Sequence, residues 1–251
     1  MRKFVKQVFL FCLPIIIIFA MPALLMELTN ENKTVKKAVE IQKKNNSLIG
    51  YGYSQVTNLL KADIVKEVKP DVLVVGSSRA MQFRDYCFKN PVDFYNAAGT
   101  VARIKEFQLF FDNTYTGETK MPAVLIMCLD QYYFNPEWDD LSDKPYLLND
   151  VSELHAMKGT LTAILSNKIS LSDISGLLRS KSKDVGLTAS LRNEGFVSDG
   201  SYYYGRVISE NDEGGGELLD DCFDRIDNGI RRFEYADDSN NEALNITIIS
   251  V

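Results

Sequence analysis

The chain has 251 residues, a formal net charge of −6 and 45% hydrophobic residues. This length suits one good-sized globular domain with room for a membrane segment. The acidic balance argues against a nucleic-acid partner, because phosphate binding requires a basic face. The sequence has no zinc-ligand spacing, no Cys-x-x-Cys motif and no glycine-rich phosphate loop. We therefore expect no metal and no cofactor.

The N-terminus carries an uncharged apolar run over residues 8–26, preceded by Arg2, Lys3 and Lys6. At about 1.5 Å per residue this run is long enough to cross a bilayer core of about 30 Å. The basic flank should stay in the cytoplasm. We therefore predict a cytoplasmic tip and transmembrane signal-anchor over residues 1–27, and a single-pass protein of the cytoplasmic membrane. A cleaved signal peptide is one alternative, although no small-x-small cleavage site follows the run. A buried helix of a soluble domain is another, but it would not explain the basic start.

The remainder divides into a polar, lysine-rich stalk over residues 28–54 and an α/β domain over residues 55–251. In the domain, apolar spacing predicts helices over 55–68, 81–88 and 100–115. It predicts strands over 71–75, 92–96 and 123–129, the last buried on both faces. This alternation predicts a three-layer parallel sheet flanked by helices, with right-handed crossovers.

The strand-helix pattern loosens after the third strand. Residues 132–198 read as a helical insertion, with helices over 147–166 and 169–178. Residues 245–251 form a short β-like run, after which no further strand-helix unit follows. We therefore expect a sheet that is incomplete at its C-terminal end.

A serine-containing turn follows the first strand of the domain, in the order Gly76-Ser77-Ser78-Arg79. Such a turn places a hydroxyl at the carboxyl edge of a parallel sheet. A serine becomes a nucleophile when a base takes its proton and donors hold the oxyanion. Ser78 would lie at a helix N-terminus. Ser77 could be the N-cap instead, and the structural alternative is a plain strand-to-helix turn that both serines cap.

These residues resemble the first block of the SGNH (GDSL-like) hydrolase superfamily, and the resemblance covers about residues 70–135. It is closest to the membrane-anchored extracytoplasmic branch, which includes proteins of alginate O-acetylation and teichoic-acid D-alanylation. The resemblance implies a flavodoxin-like fold with Ser78 as nucleophile and the Ser78 and Gly99 amides as the oxyanion hole. Gln131, near the position of the family's asparagine, is a further candidate donor.

The family's Asp-x-x-His, which carries the catalytic base, is absent from this sequence. The single histidine, His155, lies in the helical insertion, where we expect a surface or packing role. The missing motif and the incomplete sheet agree with a C-terminally truncated relative that is inactive as this fragment.

Three more residues are candidate substrate ligands. Arg79 would bind an anionic polymer, or else is an ordinary surface arginine. Trp138 would stack on a sugar, or else packs in the core. Asp130 follows the third strand at the same edge of the sheet.

The resemblance implies an esterase or O-acyltransferase that acts on a cell-surface polysaccharide, with other envelope-modification proteins as partners. The alternative is a non-catalytic accessory or glycan-binding protein of an envelope polysaccharide export or modification complex. In a third interpretation the serine turn is only structural.

Overall fold

The computed structural model describes residues 2–117, 119–134, 139, 151–180 and 182–205. In chain order the helices and strands are α1 (Arg2–Leu28), α2 (Val35–Asn45), α3 (Thr57–Val68), β1 (Val72–Gly76), β2 (Phe94–Asn96), α4 (Ile104–Thr114), β3 (Val124–Cys128), α5 (Glu153–Leu165), α6 (Leu171–Ser180), α7 (Leu187–Arg192), β4 (Gly195–Phe196) and β5 (Tyr202–Tyr203). Short 3-10 helices cover Ser78–Gln82, Asp85–Cys87 and Gln131–Phe134. The chain forms two compact units, residues 1–56 with 150–195 and residues 57–149 with 196–251.

The second unit contains a parallel three-stranded sheet in the order β2-β1-β3. Its central strand, β1, is buried over its whole length. Val72 and Val74 pack on one face with Phe94 and Ala98. Side chains alternate along a strand, so Leu73 lies on the opposite face, where it is also fully buried. The prediction of an α/β fold with a parallel sheet flanked by helices is confirmed.

The third strand differs from its prediction. Burial on both faces was expected, but the exposed fractions are 49% for Val124, 39% for Leu125 and 43% for Met127. The reason is the position of β3 at the edge of the sheet. It pairs with β1 on one side, and no other strand of the described residues pairs with it.

The first unit begins with α1, whose last turns are packed into the protein. Leu25 and Met26 are buried, and α1 contacts α5. Among the described residues, no helix is both long enough and apolar enough to cross a bilayer. The transmembrane helix predicted for residues 1–27 is therefore not confirmed.

Residues 28–54 differ from the predicted polar stalk because they contain buried side chains. One face of α2 is buried through Val35, Ala38 and Val39. Leu48 and Ile49 are buried after the helix. This segment is part of the compact first unit.

A buried carboxylate joins distant parts of the first unit. Glu31 is fully buried, and its carboxylate accepts hydrogen bonds from the backbone N–H groups of Gly52, Tyr53 and Ser54 at 2.7–3.0 Å. The N–H of Leu187 donates to the same carboxylate at 2.7 Å. A buried charge is tolerated when hydrogen bonds surround it in this way.

The predicted helices of the insertion are confirmed as α5 and α6, with ends that differ by a few residues. They belong to the first unit. Its apolar core contains Leu25, Ala163, Ile169, Leu177 and Leu187. The β-like run predicted over residues 245–251 lies outside the described residues.

Candidate functional site

The candidate site lies where the three parallel strands end. The serine turn follows β1, Ala97-Ala98-Gly99 follows β2, and Asp130-Gln131 follows β3. The carboxyl ends of parallel strands meet at one edge of a sheet, so these segments are neighbours. Gly76 fits tightly there, since a Cβ at this position would lie 2.8 Å from both the Cβ and the carbonyl oxygen of Cys128. This close approach explains the glycine at the end of β1.

Ser77 is the buried serine of the turn, with an exposed fraction of 6%. It is the N-cap of the 3-10 helix Ser78–Gln82, and its Oγ accepts from the N–H of Arg79 at 3.2 Å. Its hydroxyl also donates to the carboxylate of Asp130. The interpretation of Ser77 as an N-cap is confirmed, and its hydroxyl links β1 to the end of β3.

Ser78, the predicted nucleophile, is the first residue of that 3-10 helix, and it is exposed. Backbone N–H groups of a first helical turn have no acceptor within the helix. Ser78 therefore lies in an exposed position in the first turn of this helix, at the carboxyl edge of the sheet. Its role as a nucleophile stays a prediction.

Gly99, the predicted oxyanion donor, lies directly against the serine turn. Its N–H donates to the carbonyl oxygens of Gly76 at 2.8 Å and Ser77 at 3.2 Å. Its φ of +88° is in the region that favours glycine. A Cβ there would also overlap the methyl group of Met81. To act in an oxyanion hole, the Gly99 N–H would have to release these two carbonyl oxygens and donate to the oxyanion of the substrate instead.

A charged pair stands next to the serine turn. Nη1 of Arg79 lies 3.4 Å from Oδ1 of Asp130, and the arginine side chain is 59% exposed. The guanidinium carbon lies 5.8 Å from the ring centroid of Tyr132. Burial raises the pKa of Tyr132, and its hydrogen bond to Asp130 acts in the same direction, while a hydrogen bond to Ser77 opposes it. The exposed guanidinium can accept a carboxylate or phosphate ligand.

The remaining predicted residues are not gathered into this cluster. Gln131 is exposed at the start of a 3-10 helix, and its role as a donor stays a prediction. Trp138 lies outside the described residues. His155 is exposed on α5 in the first unit and lines a cavity of about 310 Å³ with Tyr53 and Lys158. Within the described part of the chain, no group of three His, Cys, Asp or Glu side chains could hold a metal ion.

Asn96 supports the serine turn and was not identified from the sequence. It ends β2 and is fully buried. Its Nδ2 donates to the carbonyl oxygens of Ala80 at 2.8 Å and Phe83 at 2.7 Å, while its Oδ1 accepts from the N–H of Ala98 at 2.8 Å. The side-chain amide of Asn96 therefore holds both the 3-10 helix Ser78–Gln82 and the segment that leads to Gly99. Its place in Asn96-Ala97-Ala98-Gly99, at the end of a strand, was the available signal.

Lys61 is a second supporting residue that sequence reasoning missed. It lies on α3 and is fully buried, and its Nζ donates to the carbonyl oxygens of Asn96 at 2.7 Å and Gly200 at 2.5 Å. The loop around Gly200 contacts the serine turn region as well, because Nε2 of Gln82 donates to the carbonyl of Tyr202 at 2.8 Å. Lys61 thus connects α3, the end of β2 and the loop before β5.

Comparisons with protein-family models, curated proteins and solved structures found no match to this chain. The resemblance to the SGNH superfamily therefore depends on the motif residues themselves. The structure contributes the positions of those residues in the sheet and its loops.

Proposed function

We propose that the second unit carries a serine acyl-transfer site of the SGNH type, with Ser78 as the nucleophile. The enzyme would be an esterase or O-acyltransferase that acts on a cell-surface polysaccharide. The observation that supports this most is the exposed position of Ser78 at the carboxyl edge of the sheet, one residue after the serine held by Asp130.

The proposed step forms a bond between Oγ of Ser78 and the carbonyl carbon of an acyl ester. The Oγ proton passes to a base, the ester C–O bond breaks, and the leaving alcohol takes up a proton. A sugar hydroxyl or water then receives the acyl group from the serine. Arg79 would bind an anionic group of the polymer beside this serine.

The base determines how fast this step can be. The sequence contains no Asp-x-x-His, the motif in which the family carries it. Serine triads that lose a member become slower by several orders of magnitude. We therefore expect this chain to be acylated slowly and to show no efficient turnover.

The test is to incubate the chain with an activated acetyl ester and to locate the added acetyl group by peptide mass spectrometry. We expect slow acetylation at Ser78 and none in Ser78→Ala. Ser175→Ala, which removes an exposed hydroxyl from α6, is the matched control and should be acetylated at Ser78 like the parent. If the parent and Ser78→Ala are acetylated to the same extent at other residues, and the parent carries no acetyl group at Ser78, this serine is not the nucleophile.

A second candidate function is a non-catalytic accessory protein that binds the glycan. Two observations favour it, namely the Gly99 N–H that is engaged by two carbonyls and the exposed guanidinium of Arg79. In that case an anionic oligosaccharide should bind without any acylation of Ser78. Arg79→Gln should weaken this binding, whereas Arg84→Gln, which changes a partly exposed arginine of the same unit, should not.

We further propose a location at the outer side of the cytoplasmic membrane, where other envelope-modification proteins would be partners. The support is the sequence itself, in which basic residues precede a long apolar run. A periplasmic or surface reporter fused after residue 205 should be active, and a cytoplasmic reporter at the same place should be inactive. The reverse result would contradict this location.

A further inference from the structure

The outward side of α5 carries leucines where a surface helix usually carries polar side chains. Leu154 and Leu165 have exposed fractions of 77% and 70%. At about 100° per residue, their spacing in the sequence returns to the same side of the helix. The buried side chains of α5 lie on the opposite side, and they are Ala156, Thr160 and Ala163. The two leucines therefore form an apolar stripe that points away from the core of the first unit.

A lysine lies within this leucine stripe. Lys158 is exposed, and its position in the helix places it on the same side as Leu154 and Leu165. The long stem of a lysine can cover apolar surface while its ammonium group reaches a polar layer. The acidic residue of the α5 sequence, Glu153, lies about 100° around the helix from Leu154. The stripe therefore combines apolar side chains with positive charge.

A cavity of about 310 Å³ with basic side chains runs beside the leucine stripe. Its lining includes His155, Lys158 and Lys168, and no Asp or Glu of the described ranges lines it. Because Lys158 belongs to both the cavity and the stripe, the two features are adjacent. His155 is in the first turn of α5, whereas Lys168 follows its last turn. Basic groups are therefore spread along the whole helix, which is about 20 Å long at 1.5 Å per residue.

The end of α5 fixes the position of Lys168. The N–H of Lys168 donates to the carbonyl of Ala163 at 2.9 Å, and the N–H of Asn167 donates to that of Ile164 at 3.1 Å. Asn167 has a φ of +58°, in the left-handed region. These features form a Schellman motif, which ends a helix and folds the chain back on it. Lys168 is therefore held against the last turn of α5.

We propose that this side of α5 docks on the surface of a bilayer that contains anionic phospholipids. Leu154 and Leu165 would enter the boundary between headgroups and acyl chains, as the apolar residues of interfacial helices do. Lys158 and Lys168 would bind lipid phosphate groups, because an anionic surface attracts basic side chains. A bilayer presents many phosphates in one plane, which matches basic groups spread along a helix. A single soluble phosphate could contact only one end of this row.

The N-terminal helix gives a second argument for a bilayer. Leu25 of α1 and Ala163 of α5 belong to one apolar core cluster. Leu25 is also near the end of the apolar run over residues 8–26, for which we propose a membrane location. An anchored chain would therefore hold α5 close to the bilayer surface. In this respect the docking rests on the proposed location, but it does not depend on acyl transfer at Ser78.

The single histidine of the chain provides a direct test. Because His155 is unique, histidine-selective isotope labelling gives one NMR signal from the cavity. The full chain is placed in nanodiscs of phosphatidylglycerol that contain a lipid with gadolinium chelated at its headgroup. We expect strong paramagnetic broadening of the His155 signal, and much weaker broadening in nanodiscs of phosphatidylcholine.

Two results of this measurement would overturn the proposal without any variant. Equal broadening in the two lipids would show that the anionic charge has no role. Absence of broadening in phosphatidylglycerol would show that the leucine stripe faces solvent, a second copy or another part of the chain. Nanodiscs have no inner or outer side, so neither result depends on the side of the membrane that the reporter fusions identify.

A matched pair of full-length variants tests the leucine stripe. Leu154→Ser with Leu165→Ser should lose most of the broadening in phosphatidylglycerol. Leu171→Ser with Leu178→Ser is the control, since it removes leucines of α6 with exposed fractions of 77% and 60%, and it should keep the broadening. Equal effects of the two double variants would contradict docking through α5.

A second pair tests the basic residues. Lys158→Gln with Lys168→Gln should shift the docking equilibrium by roughly thirtyfold toward the undocked state. Lys43→Gln with Lys44→Gln removes the same charge from exposed positions of α2 and should leave the broadening unchanged. An unchanged signal in the first double variant, or an equal loss in both, would overturn the assignment of the lysines as phosphate ligands.

Discussion

The Nζ atom of Lys61 lies 4.0 Å from the ring centroid of Phe196, in a position with no access to solvent. The same group donates to the backbone carbonyls of Asn96 and Gly200. The lysine therefore connects a helix to two segments that surround the serine turn, although it lies on a different element.

Lys61→Met should lower the free energy of unfolding by about 3–5 kcal/mol. The substitution leaves the buried carbonyl oxygens of Asn96 and Gly200 without their donor, and each unsatisfied group costs about 1–3 kcal/mol. Urea denaturation measures the loss. Lys66→Met on the same helix breaks only a partly exposed pair with Asp63, so it should cost less than about 1 kcal/mol. Equal losses in the two variants would contradict a special role for Lys61.

The stability of the protein should depend on alkaline pH through the same lysine. Burial lowers the pKa of Lys61 well below its ordinary value, and the nearby Asp199 carboxylate opposes this shift. Between the lowered pKa and the ordinary one, the unfolded chain binds more protons than the folded chain, so stability rises with pH. The stability difference between the parent and Lys61→Met should therefore grow as the pH rises toward the ordinary pKa of lysine, about 10.4. A difference that shrinks over this range would show that the folded pKa is raised instead.

The two serines of the turn should respond differently to alanine. Ser77→Ala removes the N-cap and the hydrogen bond to Asp130, and should cost about 1–2 kcal/mol in unfolding free energy. Ser78→Ala removes an exposed hydroxyl and should change stability by less than about 0.5 kcal/mol. Thermal unfolding of both variants gives the comparison. A larger loss in Ser78→Ala would mean that this side chain is structural.

Asn96→Asp should destabilise the second unit by about 3 kcal/mol or more, because a carboxylate would face the carbonyls of Ala80 and Phe83. Asn90→Asp makes the same chemical change at an exposed position and should be nearly neutral. Urea denaturation measures both. We also expect faster amide exchange in the 3-10 helix Ser78–Gln82 of the first variant, and unchanged exchange there would contradict its positioning role.

Gly99→Ala should cost about 1–3 kcal/mol, because its φ of +88° is strained for alanine and the new Cβ would overlap Met81. Met81→Ala in the same chain should recover the part of the loss that comes from overlap. The double-mutant cycle separates the two contributions. A full recovery would show that backbone strain contributes nothing, and no recovery would show that the overlap is relieved in another way.

The sequence predicted the elements whose burial follows a regular period. The strands β1 and β2 and the helices α3 and α4 have the apolar residues that their burial requires. The position of β3 was also predicted, but its side chains are more exposed than expected. The stalk prediction failed for residues 28–54 because the burial of Ile49 comes from residues far along the chain, such as Val185, with which it forms a β-bridge. A polar composition could not reveal that partner.

Polar residues with buried roles were the hardest to predict. Lys61 has no local signal, since its acceptors are backbone carbonyls supplied by other elements. The signal for Asn96 is limited to its place at the end of a strand, because its acceptors also lie on another element. The turn itself was recognised, but the sequence did not show that Ser77 would be the serine bonded to Asp130. Two adjacent serines are chemically alike, and only the geometry of the strand end distinguishes them.

The carboxylate of Glu31 constrains the order in which the first unit can assemble. One of its donors, the N–H of Leu187, lies 156 positions later in the chain. During synthesis, Leu187 leaves the ribosome much later than Glu31. The N-terminal segment can therefore reach its final packing only after residues 57–149 of the second unit have been made. An expressed piece that ends before Leu187 should consequently be a poor folder, and separating the two units requires a fusion of both halves of the first rather than a single cut.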